Sequence, residues 1–404
     1  MRKNVILIFL KKKIFIAYKI EKLIHNKFLI KTFIILFLSL LFYSLVNKIN
    51  QIEIFNINQF FNTKIRTNSI LIFESNNFHY ECTPGFVKYF LDLGFNVDII
   101  MTIGGNGSFI FFEPKKILRF FILDNSKYYR NNEYIEKFRE IFNKYFAILV
   151  QTKTVHLNYF YKNSNLLKGK NSIFVYHHYP GDPPNNFHNN IRSWTLLNFT
   201  NFALEVNPHY FGKIKFMDKN KITRFFIVSS FNKNYDQLIY ASDKLEKENF
   251  QFQIIVTGRS HDLNNNRISK NVKNKYLFKY YLSYFNLMKV LATIDFIIIP
   301  LNLNNTGDNA YNIGKTTGSA QLSYGFLKPC LINNDFTKTY GMNKENSIIF
   351  NNLKDSLYFA MRNAIMMTNE EYKKKQYNLK KTADKIYKIS KNNVKTTINY
   401  IFKS

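Results

Sequence analysis

Short apolar runs alternate with helical repeats over most of the chain, from about residue 68 to residue 370. The run Ser69–Phe73 is followed by a polar loop, then by a helical repeat with Pro84 near its start and Gly94 at its end, and then by the apolar run Asn96–Met101. Continuous apolar runs of about four to eight residues, joined by a helix, are typical of parallel strands buried on both faces. This stretch therefore predicts a β-α-β unit.

A polar stretch at residues 210–222 separates two halves of the chain that repeat the same order of strand and helix. We therefore predict an α/β fold with two Rossmann-like domains that face a cleft, at residues 68–215 and 216–370. Further predicted strands are Ala147–Gln151, Ser172–Tyr176, Phe202–Val206, Thr223–Ser229, Phe252–Thr257 and Tyr276–Phe278, and further predicted helices are Asn132–Lys144, Tyr235–Glu248 and Tyr284–Ala292.

The segment Asp295–Asn333 contains another unit of this kind. It has an apolar strand, Phe296–Ile299, a polar loop with Gly307, a helical repeat and a second strand, Cys330–Ile332. In such sheets a ligand lies beyond the carboxyl ends of the strands, where the first helical turn offers unpaired N–H groups. The turn Gly314–Ser319 offers small residues, a lysine and three hydroxyls, which suit either a bound diphosphate or a capped, solvated helix start.

The first 50 residues combine many lysines with one long uncharged run, Thr32–Val46. With its flanks this run is about long enough to cross a hydrocarbon core. We predict a basic segment at residues 1–31, a transmembrane anchor at 32–49 and a linker at 50–67, although a buried hydrophobic helix would have the same composition. The lysines that precede the run predict a membrane protein whose N-terminus faces the cytosol.

The chain carries 57 Lys and Arg residues against 27 Asp and Glu, a formal net charge of +30. Such a charge attracts anions, including lipid head groups and nucleotides. The lysines are spread through the chain and are not gathered with aromatic residues into one stripe, so we expect no specific binding of nucleic acid. Cys82 and Cys330 have no metal-ligand spacing, so neither a disulfide framework nor a zinc site is indicated.

The last predicted element is a basic helix at residues 371–404. Its apolar residues, among them Tyr372, Ile386, Val394 and Ile401, recur at roughly helical steps. We expect this helix to lie against the body of the protein. Its lysines then form either a solvated face or a contact with anionic lipid.

Six segments of the two predicted domains carry recognisable partial motifs. They are Asn76–Glu81, Pro84-Gly85, Leu93–Val97, Ile227–Ile239, Ile254–Gly258 and Ala292–Pro300. Together they resemble the GT-B glycosyltransferases, in particular the retaining enzymes that use nucleotide sugars, over about residues 68–370. The resemblance implies two facing Rossmann-like domains, a nucleotide-sugar donor bound by the second domain, an acceptor bound by the first, and no metal cofactor.

The resemblance also assigns roles to residues of the donor side. Lys233 and the turn residues would hold the donor diphosphate, and their positive charge and N–H groups would stabilise the leaving group without a metal. The turn residues are Gly314, Lys315, Thr316, Thr317 and Ser319. Gly258, Arg259 and Gln321 would contact the nucleoside, although a surface position for Arg259 would fit the sequence equally well.

On the facing side, the loop after the first strand offers His79 and Glu81. His79 would bond a sugar or acceptor hydroxyl, and Glu81 would orient it or act as a base, but His79 would also fit a loop position packed beside Phe78. The loop after the strand Ser172–Tyr176 contains His177, His178 and Asp182, which we assign to acceptor binding. A metal site there is disfavoured because adjacent side chains of an extended segment point in opposite directions.

Two departures from the family pattern leave a second function open. Ser230 stands where the family has an arginine, and Ile313 and Gln321 stand where it has two glutamates. The leading prediction is a membrane-anchored glycosyltransferase of glycan biosynthesis that acts on a glycan or lipid-linked acceptor. The alternative is a catalytically inactive GT-B-like protein that binds glycans or scaffolds an assembly. A sugar-nucleotide epimerase would need a set of carboxylates in the cleft that the sequence does not show.

Overall fold

The computed structural model describes twelve parts of the chain, and every structural statement below concerns them alone. They are residues 52–74, 79–123, 132–151, 171–176, 191–197, 203–209, 212, 214–229, 235–258, 273–279, 282–313 and 315–403. From Ile54 onward the chain forms one compact unit. The predicted anchor at 32–49 lies outside the described residues, and no helix within them is both long and apolar enough to cross a membrane.

The first domain is built on a sheet of eight described strands in the order β1-β4-β3-β2-β5-β6-β7-β8. The strands from β2 to β8 are paired in parallel. The direction of the strand order reverses between β2 and β5, which makes that point the switch point of the sheet. The strands are β1 (Ile52–Asn56), β2 (Ser69–Glu74), β3 (Asn96–Thr102), β4 (Leu118–Leu123), β5 (Ala147–Val150), β6 (Ser172–Tyr176), β7 (Ile191–Thr195) and β8 (Leu204–Glu205), and the helices are α1 (Ile57–Phe61), α2 (Thr83–Asp92) and α3 (Asn132–Phe142).

The second domain has six described strands, all paired in parallel, in the order β11-β10-β9-β12-β13-β14. Its switch point lies between β9 and β12. The strands are β9 (Thr223–Ser229), β10 (Phe252–Gly258), β11 (Tyr276–Lys279), β12 (Phe296–Ile299), β13 (Cys330–Asn333) and β14 (Ile348–Phe350), and the helices are α4 (Asp236–Lys247), α5 (Tyr284–Thr293), α6 (Thr306–Ile313), α7 (Gly318–Phe326), α8 (Ser356–Met366) and α9 (Asn369–Lys403).

The prediction of two parallel-sheet α/β domains is confirmed. Seven of the described strands and helices were not predicted, namely β1, β4, β7, β14, α1, α6 and α8, and β1 and α1 lie in the predicted linker 50–67. Helix α6 occupies the loop predicted to be polar, where the buried Asp308 accepts a hydrogen bond from the backbone N–H of Asn302 at 3.1 Å. Strand β4 was not predicted because Arg119 interrupts its apolar run. In the structure this arginine is buried against Asp98 of β3, with Arg119 Nε 2.8 Å from Asp98 Oδ1.

Helix α9 packs against both domains. Near its start, the hydroxyl of Tyr372 donates to the carbonyl of Asp295 at 2.8 Å, and Gln376 Nε2 donates to the carbonyl of Leu327 at 3.0 Å. Near its end, Thr397 Oγ1 accepts a hydrogen bond from Trp194 Nε1 of β7 at 3.0 Å. One continuous helix therefore joins the two domains, and it also contacts the segment that connects them, since Gln376 Oε1 accepts a hydrogen bond from the backbone of Met217 at 3.2 Å.

Asp295, which directly precedes β12, holds the amino ends of two strands together. The residue is 1% exposed. Its Oδ1 accepts hydrogen bonds from the backbone and side-chain N–H groups of Asn220, both at 2.9 Å, and its Oδ2 accepts one from the backbone of Arg224 at 2.7 Å. The aspartate of the motif Ala292–Pro300 is therefore a structural residue at the edge opposite the carboxyl ends of the strands.

The first test concerns this carboxylate. We expect Asp295→Ala to lower the free energy of unfolding by about 2–4 kcal/mol, because it leaves three N–H donors without their acceptor in a buried place. Asp218→Ala is the matched control, since Asp218 is 66% exposed in an ion pair with Lys373 that solvent screens. Urea unfolding of the full chain measures both, and equal stabilities of the two variants would contradict the structural role of Asp295.

Candidate active site between the two sheets

The carboxyl ends of β9 and β12 open into a cleft of about 370 Å³. Val228 lies at the end of β9, and Ile299, Pro300 and Leu301 lie at the end of β12. The cleft is thus at the switch point of the second sheet, where doubly wound sheets bind their ligands. Its volume falls in the range of sites that hold small molecules.

His79 and Glu81 form the facing wall of the cleft, and they come from the switch point of the first sheet. They follow β2, and Gln151, which follows β5, donates from Nε2 to the carbonyl of His79 at 2.8 Å. His79 has a left-handed backbone conformation, with φ of 65°, which turns the chain into the short 3-10 helix Tyr80–Cys82. The two switch points therefore meet at one cleft.

Glu81 connects His79 to the second domain. Its Oε1 lies 3.4 Å from His79 Nδ1, and its Oε2 accepts a hydrogen bond from the hydroxyl of Tyr284 in α5 at 3.2 Å. The side chain of Glu81 is 14% exposed and that of His79 is 30% exposed. The three side chains make a hydrogen-bonded line across the junction of the domains.

The electrostatic interactions between His79 and Glu81 favour the charged form of both side chains. Burial by itself would lower the pKa of His79, but the hydrogen bond and negative charge of Glu81 outweigh it and raise that pKa above its ordinary value of 6.5. Burial would raise the pKa of Glu81, but the hydrogen bond and charge of His79, with smaller help from Tyr284, lower it. The pair can thus hold a proton on the imidazole while the carboxylate stays charged.

A glycine brings α5 close enough for this contact. A Cβ atom on Gly107 would lie 2.6 Å from the backbone nitrogen of Phe285, so a side chain there would push α5 away from the first domain. The rings of Tyr80 and Tyr284 then meet edge to face, with centroids 5.2 Å apart. Neither Tyr284 nor the segment Gly105–Phe109 was predicted to belong to the site, although the glycine cluster after β3 was a visible signal of a close approach.

The turn before α7 supplies the third wall of the cleft. Thr316, Thr317, Gly318 and Ser319 line it, and Thr317 caps the helix by accepting a hydrogen bond from the backbone N–H of Ser319 at 3.3 Å. Thr316 is 8% exposed, and its Oγ1 has no hydrogen-bond partner among the described residues. A buried hydroxyl without a partner is uncommon and suits a ligand oxygen.

The remaining predicted site residues fall into three groups. Lys315 borders the turn with its Nζ 5.3 Å from the ring centre of Tyr311. Gln321 is 2% exposed and Gly258 ends β10 with φ of 101°, and neither is among the residues that line the cleft. The others lie outside the described residues: Lys233, Arg259, Gly314, His177, His178 and Asp182.

Comparison with known proteins identifies the architecture. No protein-family model and no curated protein matches the sequence. A glycosyltransferase from Rickettsia africae ESF-5 has a similar structure, with a TM-score of 0.51 and 14% identity over 84% of this chain and 100% of that one. AviGT4, a glycosyltransferase involved in avilamycin A biosynthesis, has a TM-score of 0.51 and 9% identity over 83% of this chain and 98% of that one.

The chain has the GT-B fold. At identities this low the likeness extends to the fold alone, so it does not decide between the retaining and inverting types. The GT-B fold explains the position of the cleft. In this chain it lies where two parallel sheets present their switch points to each other.

The second test concerns the pair His79 and Glu81. We expect Glu81→Gln to lower the pKa of His79, because the charged hydrogen-bond partner is lost and only the smaller effect of the Glu74 charge still opposes burial. Titration of the His79 ring by NMR, assigned with a His79→Asn variant, measures this change. Glu345→Gln, an exposed substitution, is the control. An unchanged pKa in the Glu81 variant would show that the two side chains are not coupled.

Proposed function

We propose that this protein is a membrane-anchored glycosyltransferase that moves a sugar from a nucleotide-sugar donor to a glycan or lipid-linked acceptor. The proposal rests chiefly on one observation, the cleft in which the pair His79 and Glu81 faces the hydroxyl-rich turn Thr316–Ser319. The GT-B fold, shared with glycosyltransferases, supports it. The anchor at residues 32–49, with the N-terminus in the cytosol, is the part of the proposal that rests on sequence alone.

The donor diphosphate is assigned to the turn. The first turn of α7 carries the positive end of the helix dipole, and Gly318 has no side chain to keep a phosphate from the backbone. Thr316 Oγ1 would donate to a phosphate oxygen, and Lys315 and Lys233 would supply positive charge. These groups stabilise the negative charge that develops on the leaving diphosphate, so the proposal requires no resident metal.

The acceptor is assigned to the side of His79. In the proposed step, the bond from the anomeric carbon to the diphosphate oxygen breaks and a bond to the acceptor oxygen forms. The hydroxyl proton of the acceptor passes to His79, and Glu81 stabilises the imidazolium that results. We also propose retention of configuration, which requires the acceptor oxygen to reach the oxocarbenium-like carbon from the face that the diphosphate leaves. This part of the proposal, and the acceptor contacts from His177, His178 and Asp182, rest on the sequence analysis.

The positions of Ile313 and Gln321 favour the alternative function, a catalytically inactive protein that binds glycans. Ile313, at one of the two glutamate positions of the family, is 74% exposed at the end of α6, and Gln321, at the other, is buried outside the lining of the cleft. Neither offers a carboxylate to the ribose. A protein that binds glycans without transferring sugar would have no need of that contact, and binding of a nucleoside diphosphate separates the two functions.

The third test therefore measures diphosphate binding through thermal stability of the full chain with UDP, GDP and ADP. A ligand at about one hundred times its Kd adds about 2.7 kcal/mol to the free energy of unfolding. We expect Thr316→Val to leave the unliganded protein as stable as the wild type or slightly more stable, because it removes an unpaired buried hydroxyl. We also expect it to weaken the diphosphate about tenfold or more, because a charge-assisted hydrogen bond is lost.

Thr293→Val is the matched control, since its hydroxyl donates to the carbonyl of Val290 and lies outside the lining of the cleft. It should leave the stabilisation by ligand unchanged. If no diphosphate stabilises the folded wild-type chain, the transferase proposal fails and the glycan-binding alternative takes its place. If Thr316→Val and Thr293→Val respond alike, the donor site lies elsewhere.

The fourth test concerns His79 and uses water as the acceptor, because donor hydrolysis needs no known acceptor. We expect His79→Ala to lower the rate of donor hydrolysis by about 10²–10⁴-fold while leaving diphosphate binding unchanged. In the wild type the rate should rise as the pH passes the raised pKa of His79, above 6.5, because only the neutral imidazole accepts a proton. NMR of the released sugar before it mutarotates reports retention, and an inverted first product would reject that part of the proposal.

A further inference from the structure

Helix α9 carries a row of lysines along its outer side. It contains ten lysines, and six of them are exposed to solvent and share one face: Lys374, Lys381, Lys385, Lys388, Lys395 and Lys403. At 100° per residue these six fall within about 80° of one another on a helical wheel. We call this face the basic stripe, and it runs for about 44 Å at a rise of 1.5 Å per residue.

The basic stripe has no carboxylate partner within the described structure. Other lysines of α9 point to its flanks and are paired there: Lys373 with Asp218, Lys380 with Asp384, and Lys375 with two backbone carbonyls. No ion pair involves any lysine of the stripe among the described residues. Like charges three or four residues apart destabilise a helix, so the protein maintains this charge at a cost.

Exposed apolar side chains border the basic stripe on both sides. Tyr377 and Phe402 lie along one flank, with exposures of 52% and 63%, and Ile389 and Tyr400 lie along the other, with exposures of 45% and 49%. The opposite side of the helix, which includes Leu379, Val394 and Ile398, is buried against the body of the protein. The exposed side therefore combines a straight line of positive charge with aromatic and aliphatic edges.

We propose that the basic stripe of α9 docks on the surface of an anionic lipid bilayer. A straight and outward-facing row of charges matches a flat anionic surface, where each lysine contributes to binding. Tyrosine and phenylalanine at the edges of the row suit the depth of the head groups. Nucleic acid is the less favoured partner, because α9 contains no arginine, the residue that binds phosphate oxygens through two parallel hydrogen bonds.

A label on the basic stripe tests this proposal in the full chain. The two native cysteines, Cys82 and Cys330, are buried and their thiol pKa values are raised by that burial, so an added cysteine can be labelled selectively. Asn392→Cys places a fluorophore at the centre of the stripe. The chain is reconstituted with phosphatidylcholine vesicles of increasing phosphatidylserine content, and nitroxide on the lipid head groups quenches the fluorophore at contact range.

We expect quenching to increase with phosphatidylserine content and to fall at high salt, because the attraction is electrostatic. The stripe variant replaces Lys381, Lys385, Lys388 and Lys395 with Gln. The control variant replaces four exposed lysines elsewhere with Gln, namely Lys64, Lys247, Lys273 and Lys338. Both variants remove four charges from the chain. The stripe variant should need several times more phosphatidylserine for half-maximal quenching, since each lysine near the surface contributes on the order of a fivefold change in affinity.

Two results would overturn the proposal. In one, the stripe and control variants lose quenching equally, which would show a general effect of net charge. In the other, lipid composition has no effect and a DNA oligonucleotide changes the fluorescence at physiological salt in a stripe-dependent way, which would make nucleic acid the partner. The measurement involves no nucleotide sugar, so its outcome is independent of the proposed transferase activity.

Discussion

The candidate site depends on the hydrogen bonds of the Glu81 carboxylate, whose side chain is only 14% exposed. A charge in a place of low solvent exposure is stable only when it is paired and hydrogen bonded. Glu81 takes one partner, His79, from its own domain and another, Tyr284, from the facing domain. The carboxylate therefore fixes the imidazole at the cleft and connects it to helix α5 of the second domain.

The close approach of the domains follows from packing on either side of this contact. Gly107 has no side chain that would keep the start of α5 away, whereas at Gly318 an added Cβ would lie 3.5 Å from Glu81 Oε1, an ordinary van der Waals contact. Helix α9 connects the domains at a second place through Tyr372 and Thr397. Two separate junctions restrain the relative motion of the sheets, so a change in one domain must be accommodated at both.

The fold was largely predictable because most of its strands are uninterrupted apolar runs, as in β2, β9 and β12. Strand β4 was not, because the burial of Arg119 depends on Asp98 of a neighbouring strand, which local sequence does not reveal. The position of the cleft followed from topology, since ligands of doubly wound sheets bind beyond the carboxyl ends. Tyr284 could not be found in the same way, because its partner Glu81 is 203 positions away.

The burial of Thr316 bears on the two interpretations that the sequence left open for the turn before α7. A solvated helix start would leave its hydroxyls in water, where they need no protein partner. Thr316 is instead 8% exposed with an unpaired Oγ1, while the neighbouring Ser323 of α7 donates to the carbonyl of Lys328 at 2.7 Å. Thr83, Thr195 and Gln321 also have a buried oxygen without a partner among the described residues, but Thr316 alone of these lines the cleft, where a ligand could pair with it. The unpaired hydroxyl therefore favours a ligand-binding turn over a solvated cap.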